Sequence, residues 1–359
     1  MRYARQTILP EIGAEGQKRI SAARILCIGA GGLGCAALPY LAAAGVGTIG
    51  ICDDDRVELS NLQRQVLFKT AEVGALKAEK AAEALRALNP DIIVNAHPMR
   101  LDARNVENLF SRYDIILDGT DNFAAKFLIN DAAYKLGKPW VYGAVLGFEG
   151  QVSVFENGNG PCYRCLYNEE PKNPVANCAE AGVLGAFVGS IGTMQAVEAL
   201  KLAAKTEKLP TISGRLLMID ARNWQWRDYA LEKAALCPTC SKNHCEVHLM
   251  TNDPNAVPEI TAAEAAQLKT PVFLDVREPD EWDEGHIPGA MHIPVGTLLA
   301  DSAPNVPRDA ELVVYCRSGG RSKRALQHLQ TLGYTNGKNM VGGFTSWSQV
   351  NPARTERAA

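Results

Sequence analysis

Ala23 to Gly34 reads Ala-Arg-Ile-Leu-Cys-Ile-Gly-Ala-Gly-Gly-Leu-Gly, an apolar run that breaks on Gly29, Gly31, Gly32 and Gly34. After an alanine-rich segment a second apolar run, Ile49-Gly-Ile-Cys, closes on Asp53. This pattern restricts the fold more than any other in the chain. It predicts a strand, a tight turn, a helix and a second, parallel strand. The glycines let the backbone turn sharply and come close to a pyrophosphate. The helix N-terminus favours the anion, and the acid accepts from a ribose hydroxyl. An α/β domain with a nucleotide at the strand ends is expected. The turn alone leaves NAD, FAD and the adenosine of ATP open.

The segments that follow narrow the choice. Residues 6–22 read as a helical lead-in, and 35–45 as the helix after the turn, with Pro39 in its first turns. Apolar residues at three- and four-residue intervals predict an amphipathic helix over 73–88, stopped by Asn89-Pro90. Strands are expected at 92–96 and 114–117, the second ending in Asp118-Gly-Thr-Asp121-Asn122. In an open parallel sheet ligand groups gather beyond the carboxyl ends of the strands, so Asp53 and Asp121 share one crevice. A hydride-transfer site needs few cations there. A nucleoside triphosphate needs several, with an acid for magnesium, and Arg64, Lys77 and Asp121 are the residue types that would serve.

With 359 residues, 37 basic and 40 acidic, two or three domains are expected, with no bulk attraction to nucleic acid or membrane. The N-terminal segment lacks the apolar core of a signal peptide, and no apolar run reaches the roughly 18 residues of a membrane span. Ten cysteines in this pattern fit metal and thiol chemistry in a reducing cytoplasm better than a disulfide framework. Cys162-Tyr-Arg-Cys165 and Cys237-Pro-Thr-Cys240 each present two thiolates, and together they make a closed tetrahedral zinc site. Four protein ligands leave no position for water, so the zinc is expected to be structural. Between the pairs, Cys178 lies among glycines, where a small buried hydrophobe is the default for a cysteine. A long apolar helix over 183–204 and returning strands over 211–227, with Trp224 and Trp226 alternating, complete a domain of residues 1–246.

Residues 247–258 lack periodicity and read as a linker to a smaller α/β domain, 259–359. There Thr261 is the expected N-cap of a helix over 262–269, and 272–276 is a buried strand. Leu312-Val-Val-Tyr-Cys316 is a strand running into Arg317-Ser-Gly-Gly-Arg321-Ser322 and a helix over 323–332. A cysteine at a strand end, a loop with two glycines and a helix form an anion cradle suited to a thiolate or persulfide.

The glycine turn, Asp53, Ser60-Asn61-Leu62-Gln63-Arg64, Lys77 and Thr120-Asp121-Asn122 resemble the adenylylating domain of the MoeB/ThiF family, relatives of ubiquitin-activating enzymes, over residues 3–245. The resemblance implies a Rossmann-like domain that binds ATP with magnesium and works as a homodimer. In that dimer Arg5 would reach the triphosphate of the partner subunit, Asp53 would hold the ribose, and Arg64 and Lys77 the phosphates. It also implies that Cys178 is the acyl-accepting thiol. Asp54 departs from the family pattern, which places an apolar or neutral residue between two acids, and leaves the roles of Asp53 and Asp55 open. Residues 259–350 resemble the rhodanese family, which implies a persulfide on Cys316 and a cradle shaped by Arg321. Phosphatases of the same fold have one residue more between cysteine and arginine than Arg317 to Gly320, so the loop favours sulfur.

Together the resemblances imply an adenylyltransferase and sulfurtransferase. It would adenylylate the C-terminal glycine of a ubiquitin-like sulfur carrier of the MoaD, ThiS or CysO kind, ending in Gly-Gly. Thiosulfate or a cysteine-desulfurase persulfide would be the sulfur donor, and the carrier would end as a thiocarboxylate. A nicotinamide or flavin oxidoreductase and a non-catalytic scaffold for ubiquitin-like proteins are the alternatives.

Overall fold

Apolar runs rich in Ile, Leu and Val become the parallel strands β1 (Arg24–Ile28), β2 (Thr48–Cys52), β3 (Ile93–His97) and β4 (Ile115–Asp118). β1, β2 and β4 are covered on both faces, which is why they read as unbroken apolar runs and not as alternating ones. The computed structural model describes residues 2–158, 160–169, 182–247, 249, 257–300 and 303–351. By its contacts the chain divides into two units, Met1–Thr251 and Asn252–Ala359. Cys178 and most of the 247–258 segment lie outside the described residues.

In the first unit the sheet continues through β5 (Trp140–Leu146), β6 (Glu149–Phe155), β7 (Arg215–Asp220) and β8 (Gln225–Ala230). The strand order is β3-β2-β1-β4-β5-β6-β7-β8, with β6, β7 and β8 added antiparallel. After β1 the chain winds outward through β2 and β3, then returns to place β4 on the other side of β1. The switch point, where a crevice opens at the carboxyl ends, is therefore between β1 and β4. The β5–β6 hairpin was not expected from the sequence. Its strands bury Trp140, Tyr142 and Phe155 in an aromatic cluster, with the Trp140 and Phe155 rings stacked 5.0 Å apart.

Three expectations need correction. Helix α1 (Gly32–Ala43) starts inside the glycine turn, earlier than residue 35, because extended Gly31 already caps it. Pro39 therefore lies in the middle of the helix. An interior proline costs about 3 kcal/mol, but Leu33, Leu38 and Leu41 are buried on this helix, and each contributes about 1.5–3 kcal/mol. Helix α2 (Lys77–Leu88) starts later than residue 73, because Leu76 forms an antiparallel bridge with Arg56 and Gly74 turns at φ +92°. Trp224 is not a strand neighbour of Trp226: at φ +54° it belongs to the turn before β8. Helices α3 (Phe123–Lys135) and α4 (Gly185–Ala204) complete the parts of this unit that bear on the site.

The second unit is a parallel sheet of β9 (Glu259–Ile260), β10 (Val272–Asp275), β11 (Met291–His292), β12 (Leu312–Tyr315) and β13 (Gly337–Met340), in the order β11-β10-β12-β13-β9. Thr261 caps its first helix as expected, its Oγ1 accepting from the Glu264 N–H at 3.2 Å. Helix α5 (Gly320–Thr331) follows the central strand β12.

Gly29 has φ +89°, and a Cβ there would lie 2.9 Å from the Gly119 carbonyl oxygen. Gly29→Ala is expected to lose at least about 2 kcal/mol, from left-handed strain together with overpacking. Gly189→Ala, on α4 with open space at its Cβ position, is expected to gain about 0.5–1 kcal/mol. Urea denaturation of the two variants checks the contrast.

Candidate functional site

The crevice is built around two glycines. Gly29 donates to the Cys52 carbonyl at 2.8 Å and Gly119 to the Ile28 carbonyl at 2.7 Å, so both turns are tied to the sheet as they leave it. Asp53 closes β2 beside them. Its Oδ2 accepts from the Ala30 N–H at 2.7 Å and its Oδ1 from the Asp55 N–H at 2.8 Å. Burial pushes its carboxyl up to about 6, with Lys77 opposing and Asp55 adding to the rise. The geometry thus separates the neighbouring acids. Asp53 is held against the glycine turn, whereas Asp55 reaches the Lys77 ammonium at 2.8 Å. Lys77 sits at the start of α2, its side chain only 6% exposed. Burial pulls that ammonium down, but Asp53 and Asp55 outweigh it and the net shift is upward.

The Ser60–Arg64 string folds into a tight turn on itself: Asn61 Oδ1 accepts from the Glu58 N–H, and Arg64 Nη1 donates to the Ser60 carbonyl at 3.3 Å. Leu62 packs partly buried on the core. The string seats against the glycine turn and α4. A Cβ on Gly32 would meet Val188 at 2.7 Å and Arg64 Cγ at 3.6 Å, and one on Gly185 would meet the Gln63 carbonyl. Asn122 caps α3, accepting from the Ala125 N–H at 2.9 Å, and leaves Asp121 exposed at the end of the β4 turn. Gly29, Gly31, Gly32, Gly34, Asp53, Ser60–Arg64, Lys77, Asp121 and Asn122 therefore meet at one end of one sheet.

Arg5 does not join them. Its short helix docks where Gln6 Nε2 donates to the Ala44 carbonyl at 3.2 Å and the Tyr3 hydroxyl accepts from Asn89 at 2.9 Å. Those loops lead into β2 and β3, so Arg5 lies at the opposite end of the sheet. Strands of five residues separate the two ends by about 17 Å.

Sequence reasoning missed Lys126. It projects from α3 with its side chain 6% exposed, and its Nζ donates to Asp118 Oδ2 at 2.6 Å, the Thr120 carbonyl at 3.0 Å and the Gly143 carbonyl at 2.8 Å. Asp118 in turn accepts from the Thr120 N–H and hydroxyl. This buried pair holds the Gly119–Thr120–Asp121 turn rigidly. Nothing local announces it, because the Gly143 acceptor comes from a strand well along the chain.

In the same unit the Sγ atoms of Cys162, Cys165, Cys237 and Cys240 all lie within 4.8 Å of one another. Burial and the neighbouring sulfurs raise the Cys162 thiol well above its usual range, and burial foremost brings Cys240 up to about 12. Cys237 is held down against burial by the Cys240 and Thr239 N–H groups. Four soft sulfurs that resist ionising together are the donor set a zinc ion fits, since the dication removes their mutual repulsion. Exposed Cys245 stands outside this cluster.

In the second unit Cys316 follows the central strand, its Sγ accepting from the Gly319 N–H at 3.1 Å and lying 3.5 Å from Ser322 Oγ. Gly319 has φ +105°, and a Cβ on Gly343 would strike the Cys316 carbonyl, so both loops around the sulfur require glycine. Arg321 is held by Glu281 in a two-point pair at 2.6 and 2.8 Å, which keeps the guanidinium charged.

A ThiF family model matches residues 3–239, and a rhodanese-like domain model residues 261–350. The chain belongs to the ThiF family. It is 41% identical over 98% of its length to a probable adenylyltransferase/sulfurtransferase MoeZ of Mycobacterium tuberculosis, covering 93% of that protein. It is 37% identical to the adenylyltransferase and sulfurtransferase uba4 of Ogataea parapolymorpha, over 98% of this chain and 97% of that one. Among solved structures, E. coli MccB with ATP superposes at a TM-score of 0.60 with 21% identity, over 67% of this chain and 75% of that one, a likeness of fold. With these identities over nearly its whole length, this ThiF-family chain is an enzyme of the adenylyltransferase and sulfurtransferase class.

The upward shift of Asp53 has a measurable sign. A carboxyl titrating at about 6 is fully charged, and so a strong acceptor for the ribose hydroxyls that the family resemblance would place there, only above that pH. Adenosine, which has no group of its own titrating between about pH 5 and 8, is expected to bind more weakly as pH falls through about 6, approaching tenfold per unit. Asp53→Asn is expected to bind weakly at every pH with a flat profile. Calorimetric titration across that range checks both.

Proposed function

We propose that this enzyme adenylylates the C-terminal glycine of a ubiquitin-like sulfur carrier and then converts it to a thiocarboxylate with sulfur from Cys316. The observation that carries the reading is the pairing of two sites on one chain: a glycine-walled crevice holding Asp53 and Lys77, and a backbone cradle around Cys316. The first site makes a carboxylate electrophilic. The second holds the nucleophile that such an electrophile needs.

ATP lies with its ribose hydroxyls on Asp53 and its phosphates over the glycine turn. Lys77 and Arg64 are the cations on that side, and Asp121 would supply an oxygen ligand to magnesium, which would neutralise charge on the phosphates. A carrier carboxylate oxygen attacks the α-phosphorus, the bond to the bridging oxygen breaks, and pyrophosphate leaves. The terminal sulfur of a Cys316 persulfide then attacks the carrier carbonyl and AMP departs, which joins carrier and Cys316 through an acyl disulfide. An external dithiol attacks the Cys316 sulfur of that disulfide, releases the carrier thiocarboxylate and then closes to its own cyclic disulfide, which frees the Cys316 thiol. Where Cys178 displaces AMP first, as a thioester, the persulfide attacks that thioester instead and the Cys178 thiol leaves. Thiosulfate or a desulfurase persulfide recharges Cys316. Arg5 cannot reach its own crevice from the far end of the sheet, which supports a homodimer in which it serves the partner's. A zinc ion would be held by Cys162, Cys165, Cys237 and Cys240, where it would tie the second CxxC turn back to the first and, with four protein ligands, would leave no open position for the reaction. Among the described residues no helix is long and apolar enough to cross a membrane.

Carrier-dependent exchange of pyrophosphate into ATP tests the first half-reaction; no exchange with any carrier ending in Gly-Gly would sink the proposal. Cys316→Ala is expected to abolish thiosulfate sulfurtransferase activity and leave exchange intact. Loss of both activities would show that the division of labour is wrong. For the metal, about one zinc per chain is expected on elemental analysis, with most of it lost in Cys237→Ser.

A further inference from the structure

The two cysteine turns come from distant parts of the chain, yet both are bonded to one carboxylate that is not a ligand. Asp131, on α3, is 5% exposed. From the first turn Arg164 grips it at two points, Nε to Oδ1 at 2.8 Å and Nη2 to Oδ2 at 2.7 Å. From the second turn the Thr239 hydroxyl donates to Oδ1 at 2.8 Å. Its neighbour Asn130 adds to this: Nδ2 donates to Asp131 Oδ1 at 3.0 Å and lies 3.9 Å from the Cys162 sulfur, while Oδ1 accepts from the Tyr163 N–H at 2.9 Å. Arg164 also lies 4.6 Å over the Phe127 ring on the same helix, so its direction is fixed from two sides.

We propose that Asp131 is the positioning residue of the four-cysteine centre, a single buried carboxylate that sets the separation of the Cys162–Cys165 and Cys237–Cys240 turns. The inference rests on reading that centre as a metal site, but the clasp itself consists of protein bonds alone. Arg164 and Thr239 are middle residues of their Cys-x-x-Cys turns, and neither contributes a sulfur. Their bonds to one acceptor hold the two pairs of thiols facing each other, with Cys162 and Cys237 sulfurs 3.5 Å apart and Cys165 and Cys240 3.3 Å apart. Outer groups that orient ligands typically alter metal affinity 10- to 100-fold when removed. The clasp reaches the catalytic end as well, because α3 carries Lys126 and is capped by Asn122 beside Asp121.

Asp131→Asn keeps the size of the side chain but replaces an acceptor with a donor facing Arg164. Zinc transfer from this variant to a colorimetric chelator is expected to be about 10- to 100-fold faster than from the wild-type protein. Thr239→Val, which leaves the Arg164 pair whole, is expected to show a smaller acceleration. Hydrogen exchange on the chelated, metal-free full-length proteins supplies the second measurement. In Asp131→Asn both turns, 162–166 and 237–241, are expected to lose protection together. In Thr239→Val the loss is expected only at 237–241. Wild-type protection of both turns in Asp131→Asn would overturn the proposal, as would unchanged zinc transfer. If wild-type protein holds no zinc, the metal reading fails, and the exchange pattern alone decides the role of Asp131.

Discussion

Gly29 and Gly119 leave adjacent strands at the switch point and press backbone against backbone, with no room for a side chain on either. Much of the first unit depends on that contact. It brings the two strand-end turns close enough for one nucleotide to span them. It also obliges the groups around it to be placed from further away: Asp53 is held to Ala30 across the turn, and the Thr120–Asp121 turn is braced from below by Lys126. A buried ion pair such as Lys126 with Asp118 adds little net stability over an apolar pair, but losing one partner costs about 3–5 kcal/mol. Its use here is geometric. Three carbonyl and carboxylate acceptors around one ammonium tie the turn to both β4 and β5.

Helix α3 joins the parts of this unit. Its first turn closes the nucleotide crevice through Asn122, its second holds Lys126, its third carries Asn130 and Asp131, and its last presents Tyr134, whose hydroxyl donates to the carbonyls of Cys240 and Lys242. His244 stacks on the same tyrosine at 4.5 Å. Lys126, Asn130, Asp131 and Tyr134 are buried, and each has hydrogen-bond partners from distant parts of the chain. The sulfur site of the second unit follows a plainer design. A central strand delivers Cys316 into a loop whose Gly319 N–H and Ser322 hydroxyl face the sulfur, and Glu281 holds Arg321 in a two-point pair.

How far these sites could be read in advance depends on the range of the interactions that make them. The glycine turn, Asp53, the Ser60–Arg64 string, the paired cysteines and the Cys316 loop are contiguous motifs, and their chemistry depends on spacing within a few residues. The α1 boundary, Pro39 and the start of α2 went astray because packing and a bridge between Arg56 and Leu76 overrode local preference. The β5–β6 hairpin escaped because a short apolar run announces no partner. Lys126 and Asp131 escaped for the same reason on a finer scale: a lone lysine and a lone aspartate look like solvated charges until their distant partners are known.

The sequence by itself determined a Rossmann-like α/β unit with a glycine turn joined to a rhodanese-like α/β unit, together with the paired thiols of the first and the cysteine loop of the second. Those signals are local, set by the backbone freedom of glycine, the spacing of thiols and the periodicity of apolar residues. Only the tertiary structure decided that Asp53 and not Asp55 lies against the glycine turn, since that depends on which oxygen the Ala30 N–H and the Lys77 ammonium reach. It alone put Arg5 at the wrong end of its own sheet, and it alone drew both cysteine turns onto Asp131. Each of these facts is a distance between residues far apart in the chain, and such distances exist only once the sheet and its helices have packed.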